Sequence, residues 1–127
     1  MIKDEAYFNS ITEQIIGCAY EVGKVLGSGF LEKVYERALT HELQKVGLDV
    51  ACQYPIKIFY DGIDIGDYFA DLVVGNEIIV ELKTVKNIEG IHLAQCLNYL
   101  KATNMKLALL INFGNKSVQV KRVVNNF

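Results

Sequence analysis

Apolar residues recur at every third or fourth position in the first part of the chain, which is the spacing of one side of an amphipathic helix. Ser10 with Glu13 is a capping-box pattern that predicts the start of a first helix, and Gly27 is placed to end it. A second helical pattern covers about 30–46. The sequence therefore predicts two antiparallel helices joined by a glycine-rich turn.

The rest of the chain has the pattern of strands with one further helix. Alternating or continuous apolar residues predict strands over 53–60, 65–74, 78–83, 107–112 and 117–123, and a helix over about 90–103. Asp61-Gly62 is a hairpin-turn signal between the first two strands. The predicted order is α-α-β-β-β-α-β-β, which makes the fold class α/β (α+β), with one mixed β-sheet flanked by helices.

Length and composition predict one domain spanning 1–127. The chain has 127 residues, of which 51% are hydrophobic and 22% charged, which is enough for an ordinary core. No apolar run approaches the ~18 residues of a membrane span, and residues 1–5 lack a signal-peptide layout. Cys18, Cys52 and Cys96 form an odd, widely spaced set, so we expect small core side chains. These features predict a cytoplasmic protein with no membrane partner.

The net charge of −2 is unevenly distributed along the chain. Residues 1–77 carry 6 basic and 13 acidic side chains, whereas residues 78–127 carry 7 basic and 2 acidic ones. This separation is compatible with a face that attracts phosphate, and equally with a solvated surface that has no partner.

Acidic residues interrupt two of the apolar strands. Glu81 and Lys83 are two positions apart and share a face, while Asp71 lies in the apolar run before them. A two-residue turn at Gly75-Asn76 places Asp71 opposite Val80, on the wrong face, whereas a three-residue loop places it opposite Glu81. Carboxylates about 5 Å apart repel each other unless a cation such as Mg²⁺ lies between them. The alternative is a salt bridge from Lys83 to either carboxylate, without a metal.

The helices carry further polar candidates. Glu32 lies in the first turn of the second helix, where the helix dipole alone explains an acid. Gln95 and Tyr99 are four residues apart on the third helix and point the same way, although each alone is explained as a surface amide or a core tyrosine. His41 and His92 are far apart and lie beside no nucleophile pattern, so we expect structural roles for both.

The order of these residues is more specific than any one of them. Gly29-x-x-Glu32-x-x-Tyr35, Asp71, Glu81-x-Lys83 and Gln95-x-x-x-Tyr99 together resemble the PD-(D/E)XK nuclease superfamily, and most closely the GxxExxY protein family of its lambda-exonuclease-like branch. The resemblance covers about 10–123 and implies a restriction-endonuclease-like core. One departure is Ala70, which stands where the superfamily name has proline.

The resemblance implies a Mg²⁺-dependent nuclease acting on nucleic acid, with DNA expected first and Mn²⁺ as a substitute metal. The metal ligands would be Asp71, Glu81 and the Leu82 backbone carbonyl, with Glu32 binding directly or through water. Lys83 would hold the attacking water or the phosphate. The remaining implied residues are Gln95 and Tyr99, which would orient water or substrate, and the substrate contacts Lys86, Lys101 and Tyr35.

An inactive module with the same fold, which binds nucleic acid or a partner protein, is the alternative function. The presence of every expected polar residue favours the enzyme. The small size and net acidity favour the module, or an enzyme that depends on a homodimer or a partner protein to bind substrate.

Overall fold

The computed structural model describes residues 2–125; Met1, Asn126 and Phe127, at the ends of the predicted domain 1–127, lie outside the described residues. The elements are α1 (Glu5–Leu26), α2 (Glu32–Lys45), β1 (Val50–Tyr60), β2 (Ile63–Val74), β3 (Ile78–Lys83), α3 (Gly90–Thr103), β4 (Leu107–Asn112) and β5 (Gln119–Val124). Their order is the predicted one. Within residues 2–125, no helix is long and apolar enough to cross a membrane.

The strands form one mixed sheet in the order β1-β2-β3-β4-β5. β3 and β4 are parallel, and the other neighbouring pairs are antiparallel. Parallel neighbours need a long crossover, which α3 provides. β3 and β4 lie at the centre of the sheet and are covered on both faces, and this explains their continuous apolar sequences. The predicted bounds of β3, α3 and β4 are confirmed.

Helices cover both faces of the sheet. α1 and α2 pack on one face, around a core that includes Leu39, Val80 and Leu82. α3 packs on the opposite face, where Leu100 lies in a second core with Ile79. Because alternate strand residues point to opposite faces, Glu81 and Lys83 lie on the face of Ile79, next to α3.

The first helix begins earlier than predicted. Asp4 caps α1, and its Oδ1 accepts a hydrogen bond from the backbone N–H of Tyr7 at 3.0 Å. Ser10 lies inside the helix, where its hydroxyl donates to the Tyr7 carbonyl at 2.8 Å, so the predicted start at Ser10 is wrong. The physical reason is that Phe8 is only 4% exposed and extends the apolar side of the helix toward its N-terminus. Gly27, with φ of 69°, ends α1 as predicted.

The cysteines are free, and two of the three belong to the core. Cys18 and Cys96 are buried, whereas Cys52 is exposed. The expectation of a core position is therefore wrong for Cys52, because it lies on β1, an edge strand in which the alternation of buried residues is interrupted where Cys52 and Gln53 are both exposed.

Candidate functional site

The loop between β2 and β3 sets the register of the candidate carboxylates. The backbone pairs Val74 with Ile78 and Leu72 with Val80, which is the register of a three-residue loop. The loop contains two residues with positive φ, Gly75 at 60° and Asn76 at 59°. Continuing this register by one residue brings Asp71 opposite Glu81, as the longer of the two predicted loops requires.

The Asp71 side chain replaces a backbone hydrogen-bond acceptor at the position where β2 and β3 begin to separate. Its Oδ2 accepts a hydrogen bond from the backbone N–H of Leu82 at 2.8 Å. The N–H and C=O of one strand residue point to the same side, so the Leu82 carbonyl also faces β2. The bond anchors the Asp71 carboxylate beside the backbone that follows Glu81.

At Asp71 and the residue opposite it on β1, the two faces of the paired strands reverse. Beyond this position β1 and β2 continue as a two-stranded projection, here called the β-ribbon (residues 54–69). Gln53 has φ of 51°, which is uncommon for a residue other than glycine, and lies in register with Asp71. Leu72 packs with α1 and α2, but Ala70, two residues away, packs with α3. Asp71 therefore lies at a change of face, which keeps a strand carboxylate partly accessible.

Glu81 is a buried carboxyl group with an unpartnered oxygen. The residue is 4% exposed, and among the described residues its Oε1 has no hydrogen-bond partner. Burial raises the pKa of Glu81 from 4.5 to about 9, and Asp71 adds to the rise through its negative charge, while Lys83 opposes it. A carboxylate here is costly unless a cation compensates its charge.

Lys83 lies at the end of β3, and neither of the described carboxylates of the site holds its side chain in a salt bridge. The residue is half-buried, and its charge opposes the rise in the pKa values of both Glu81 and Glu32. Over residues 2–125, no salt bridge joins Lys83 to Asp71 or Glu81. The metal-free salt bridge considered from the sequence is therefore not the arrangement seen.

Glu32 approaches the same place from the opposite side of the sheet. Glu32 is the first residue of α2, and its side chain is exposed to solvent. Partial burial raises the pKa of Glu32, and the charge of Asp71 raises it further, whereas Lys83 and a hydrogen bond with the Thr84 backbone lower it. These interactions place Glu32 within electrostatic reach of Asp71 and Lys83.

Residues of α3 form the other wall of the site. Tyr99 is 6% exposed, and its ring lies 5.8 Å from that of Tyr68, centroid to centroid. Burial raises the pKa of Tyr99 to about 12, with smaller contributions from the charges of Glu81 and Asp71. Gln95 is half-buried and lines the same groove as Tyr99 and Tyr68.

The three residues implied as substrate contacts lie in different settings. Lys86 is exposed in the segment after β3, and Lys101 is exposed on α3 beside the groove. Tyr35 is fully buried; its hydroxyl donates to the Gly27 carbonyl at 2.5 Å, and its ring stacks on Phe113 at 4.6 Å. The assignment of Tyr35 as a substrate contact is therefore wrong, because its polar atom holds the loop between α1 and α2.

The two histidines lie on helices. Nδ1 of His92 accepts a hydrogen bond from the backbone N–H of Glu89 at 2.9 Å, as part of a capping box at the start of α3. His41 is exposed on α2.

A hydrogen bond between the buried Glu36 and the exposed Gln53, which the sequence did not indicate, supports the change of face at Gln53. Glu36 is 6% exposed; its Oε1 accepts from Nε2 of Gln53 at 2.5 Å, and its Oε2 accepts from Nζ of Lys33 at 2.8 Å. The only available signal was that Glu36 lies one helical turn after Glu32. The pair ties α2 to β1 next to Asp71, and so positions the carboxylate that faces Glu81.

Asn112 anchors the segment after Lys83 and was also missed. It is fully buried, and its side chain bonds both the N–H and the C=O of Val85, at 3.0 and 2.8 Å. Its Oδ1 also accepts from the backbone N–H of Gly114 at 2.9 Å. The available signal was a polar residue ending an otherwise apolar strand.

The donor atoms fit a hard divalent cation, although the protein side chains alone do not form a full cage. In the part of the chain that the structure describes, no three His, Cys, Asp or Glu side chains are close enough together to hold a metal ion. Two carboxylates, Asp71 and Glu81, do meet beside the Leu82 backbone. Oxygen donors of this kind suit Mg²⁺, which binds few protein oxygens and keeps several waters. The unpartnered Oε1 of Glu81 is the atom that such an ion would satisfy.

Comparisons with known proteins agree with this architecture. The family model described as the PD-(D/E)XK nuclease superfamily matches residues 9–123. The crystal structure of SSO0001 is similar at 17% identity and a TM-score of 0.56, over 96% of this chain and 61% of that one. An alkaline exonuclease (LHK-Exo) from Laribacter hongkongensis is similar at 13% identity and a TM-score of 0.55, over 99% of this chain and 73% of that one. The search of curated proteins found no match.

Proposed function

This chain belongs to the PD-(D/E)XK nuclease superfamily, and we propose that it is a divalent-metal-dependent nuclease that hydrolyses phosphodiester bonds of DNA. Within the superfamily we assign it to the GxxExxY family of the lambda-exonuclease-like branch, on the spacing of Gly29, Glu32 and Tyr35. The proposal treats 1–127 as one catalytic domain that acts in the cytoplasm.

One observation carries the proposal, namely the meeting of Asp71 and Glu81 on adjacent strands with a buried, unpartnered oxygen on Glu81. Replacing buried charged groups with well-packed apolar residues is often neutral or stabilising, so a fold under no functional demand has no physical need to keep such a pair. Instead, the chain keeps both carboxylates and leaves Lys83 free of a salt bridge to either one. This arrangement favours binding of a cation over a purely structural role.

The residues proposed to hold the metal are Asp71, Glu81 and the Leu82 carbonyl, with Glu32 completing the set directly or through water. A bound Mg²⁺ or Mn²⁺ would lower the pKa of a coordinated water and relieve negative charge on the phosphate. The hydrogen bond from Leu82 N–H holds the Asp71 carboxylate in place beside this backbone. Glu81 must lose a proton before it can act as a ligand, so metal binding and deprotonation are coupled.

Lys83 and the α3 residues have roles that follow from their positions. The Lys83 ammonium lies on the same strand face as Glu81, where it can orient the attacking water or stabilise charge developing on the phosphate. Tyr99 is buried beside Glu81 and keeps its proton, so its hydroxyl can donate a hydrogen bond at neutral pH. Gln95 lies one turn earlier and can orient water or the substrate backbone. Lys86 and Lys101 are the proposed phosphate contacts.

The proposal is tested by metal binding and cleavage measured on the same samples. Calorimetry with Mg²⁺ and with Mn²⁺ would compare the wild type with Asp71→Asn and with Asp67→Asn, an exposed control on the same strand. We expect Asp71→Asn to lose metal binding and at least about 100-fold of the cleavage rate, and Asp67→Asn to keep both. Lys83→Ala should keep metal binding but lose about 100- to 1000-fold in cleavage rate.

Cleavage of single-stranded, duplex and branched DNA by the purified wild type defines the substrate. Cleavage that survives Asp71→Asn, with the variant folded by circular dichroism, would overturn the site assignment. Metal binding without cleavage of any substrate would favour the inactive module that binds nucleic acid or a partner protein.

A further inference from the structure

A groove of about 720 Å³ runs between α3 and the β-ribbon, next to the candidate metal site. Phe59 and Tyr68 line it from the β-ribbon, and both are exposed, at 61% and 49%. From α3, it is lined by three polar side chains at intervals of three residues and by one aromatic ring: Gln95, Asn98, Lys101 and Tyr99. The groove therefore combines open aromatic faces with amide groups and a cation.

The groove is continuous with the candidate site. Gln95 and Tyr99, which line the groove, are also the α3 residues proposed to act beside Glu81. The charges of Glu81 and Asp71 act on Tyr99, and the Tyr99 ring contacts that of Tyr68 at the groove wall. A ligand in the groove would thus extend toward the carboxylates.

The charge of the lining suits an anion. None of the described residues that line the groove is acidic. One lining lysine, Lys57, is already engaged by Asp64 and Asp67 at 3.0 and 3.1 Å. Lys101 forms no ion pair with any carboxylate of residues 2–125, so its charge remains available to a phosphate.

We propose that this groove binds single-stranded nucleic acid, with unpaired bases stacked on Tyr68 and Phe59 and a phosphate beside Lys101, and leads the strand to the metal site. Exposed aromatic rings in a groove suit unpaired bases, because the bases of a duplex already stack on one another. The amides of Gln95 and Asn98 supply donors and acceptors for the polar edges of the bases. This inference rests on the proposed function and adds to it the form of the substrate.

Binding can be measured without cleavage, by fluorescence anisotropy of a labelled oligothymidylate in EDTA. Tyr68→Ala and Phe59→Ala should each weaken binding about 5- to 150-fold, the range for loss of one base–aromatic stack. Tyr60→Ala is the matched control, because Tyr60 follows Phe59 on the β-ribbon and is 69% exposed but does not line the groove. Its affinity should equal that of the wild type.

The salt dependence of the affinity tests the phosphate contact. Lys101→Gln should reduce the slope of log affinity against log salt concentration by about one. Lys24→Gln, an exposed lysine on α1 across the sheet, should leave the slope unchanged. A duplex of the same sequence should bind more weakly than the single strand.

Several results would overturn the inference. They are no detectable binding of the oligothymidylate by the wild type, tighter binding of the duplex, or unchanged affinity in both aromatic variants. Equal losses of affinity in Tyr60→Ala and Tyr68→Ala would show that the oligothymidylate binds a diffuse surface of the β-ribbon instead of this groove. A dimer in sedimentation velocity that depends on the β-ribbon would show that a second copy of the chain occupies the groove.

The same variants separate this inference from the proposed function. In EDTA, Asp71→Asn should bind the oligothymidylate at least as tightly as the wild type, because it removes a negative charge near the phosphates. If the groove variants bind and cleave like the wild type while Asp71→Asn does not cleave, the groove inference fails and the nuclease proposal stands. If Asp71→Asn still cleaves while the groove variants lose binding, the metal-site proposal fails.

Discussion

In protein stripped of divalent cations, replacing Glu81 by glutamine should remove much of the pH dependence of the folding free energy. The Glu81 carboxyl is almost completely buried, and its pKa is raised from 4.5 to about 9, first by burial and then by Asp71. Glutamine has nearly the same shape and cannot ionise. The variant therefore isolates the free-energy cost of one buried titrating group.

The sign and size of the effect follow from proton linkage. Between pH 4.5 and about pH 9, the unfolded chain has released the Glu81 proton that the folded chain still holds. Stability due to this group therefore falls as pH rises, by ~1.4 kcal/mol for each pH unit in that window, and levels off above it. Between about pH 5.5 and about pH 7.5, the wild type should lose ~3 kcal/mol relative to Glu81→Gln.

Urea unfolding in EDTA, followed by circular dichroism at several pH values, measures this difference. Glu13→Gln is the control, because Glu13 is an exposed glutamate on α1, and its curve should run parallel to that of the wild type. A difference between the wild type and Glu81→Gln that stays constant across the range would refute the reasoning. Such a result would mean that the folded protein ionises Glu81 as readily as the unfolded chain does.

The same group links metal binding to proton release. Near pH 7.5, Mg²⁺ binding should release about one proton from the wild type, because Glu81 must ionise to become a ligand. Calorimetry in buffers with different ionisation enthalpies counts that proton. Binding that releases no proton would show that Glu81 is not among the ligands.

Substitutions at three positions, with one control, test the supports of the fold. Tyr35→Phe should lower the free energy of unfolding in urea by about 1 to 2 kcal/mol, because a loop carbonyl loses the hydrogen bond that it accepts at 2.5 Å. A change near zero would contradict this role of the hydroxyl. Gly114→Ala places a methyl carbon 2.1 Å from the Val85 carbonyl oxygen and should destabilise by about 1 to 3 kcal/mol. Its control, Gly17→Ala in the open middle of α1, should stabilise by about 1 kcal/mol. Gln53→Gly and Gln53→Ala remove the same side-chain bond, but the glycine variant should be about 1 kcal/mol more stable because it tolerates φ of 51°; the reverse order would show that the backbone relaxes at this position.

The central elements were predictable because their packing is simple. The observed bounds of β3, β4 and α3 are the predicted ones. For the two strands the reason is that a strand covered on both faces has an unbroken apolar sequence bounded by polar turns. The end of α1 was also predictable, because Gly27 adopts a backbone conformation that other residues avoid. The start of α1 was not, because Ser10 satisfies a local capping pattern that the packing of Phe8 overrides.

The supports of the site were less visible. Glu36 and Asn112 read as ordinary polar residues, and nothing nearby in the chain marks them as buried. Their partners, Gln53 and Val85, are 17 and 27 residues away along the chain. The prediction for Tyr35 was wrong for the opposite reason. Its position in the motif suggested a substrate contact, but its hydroxyl forms a hydrogen bond inside the protein.

The sequence by itself determined the order of the elements and the shared face of Glu81 and Lys83, and it limited the register of Asp71 to two alternatives. These features depend on local periodicity and on the length of one loop. Only the tertiary structure decided that the three-residue loop is used and that Glu81 is buried with an unpartnered oxygen. It also decided that the β-ribbon turns over at Gln53 to form a groove with α3. These features depend on contacts between residues far apart in the chain, which solvent exclusion and packing bring together only in the folded protein.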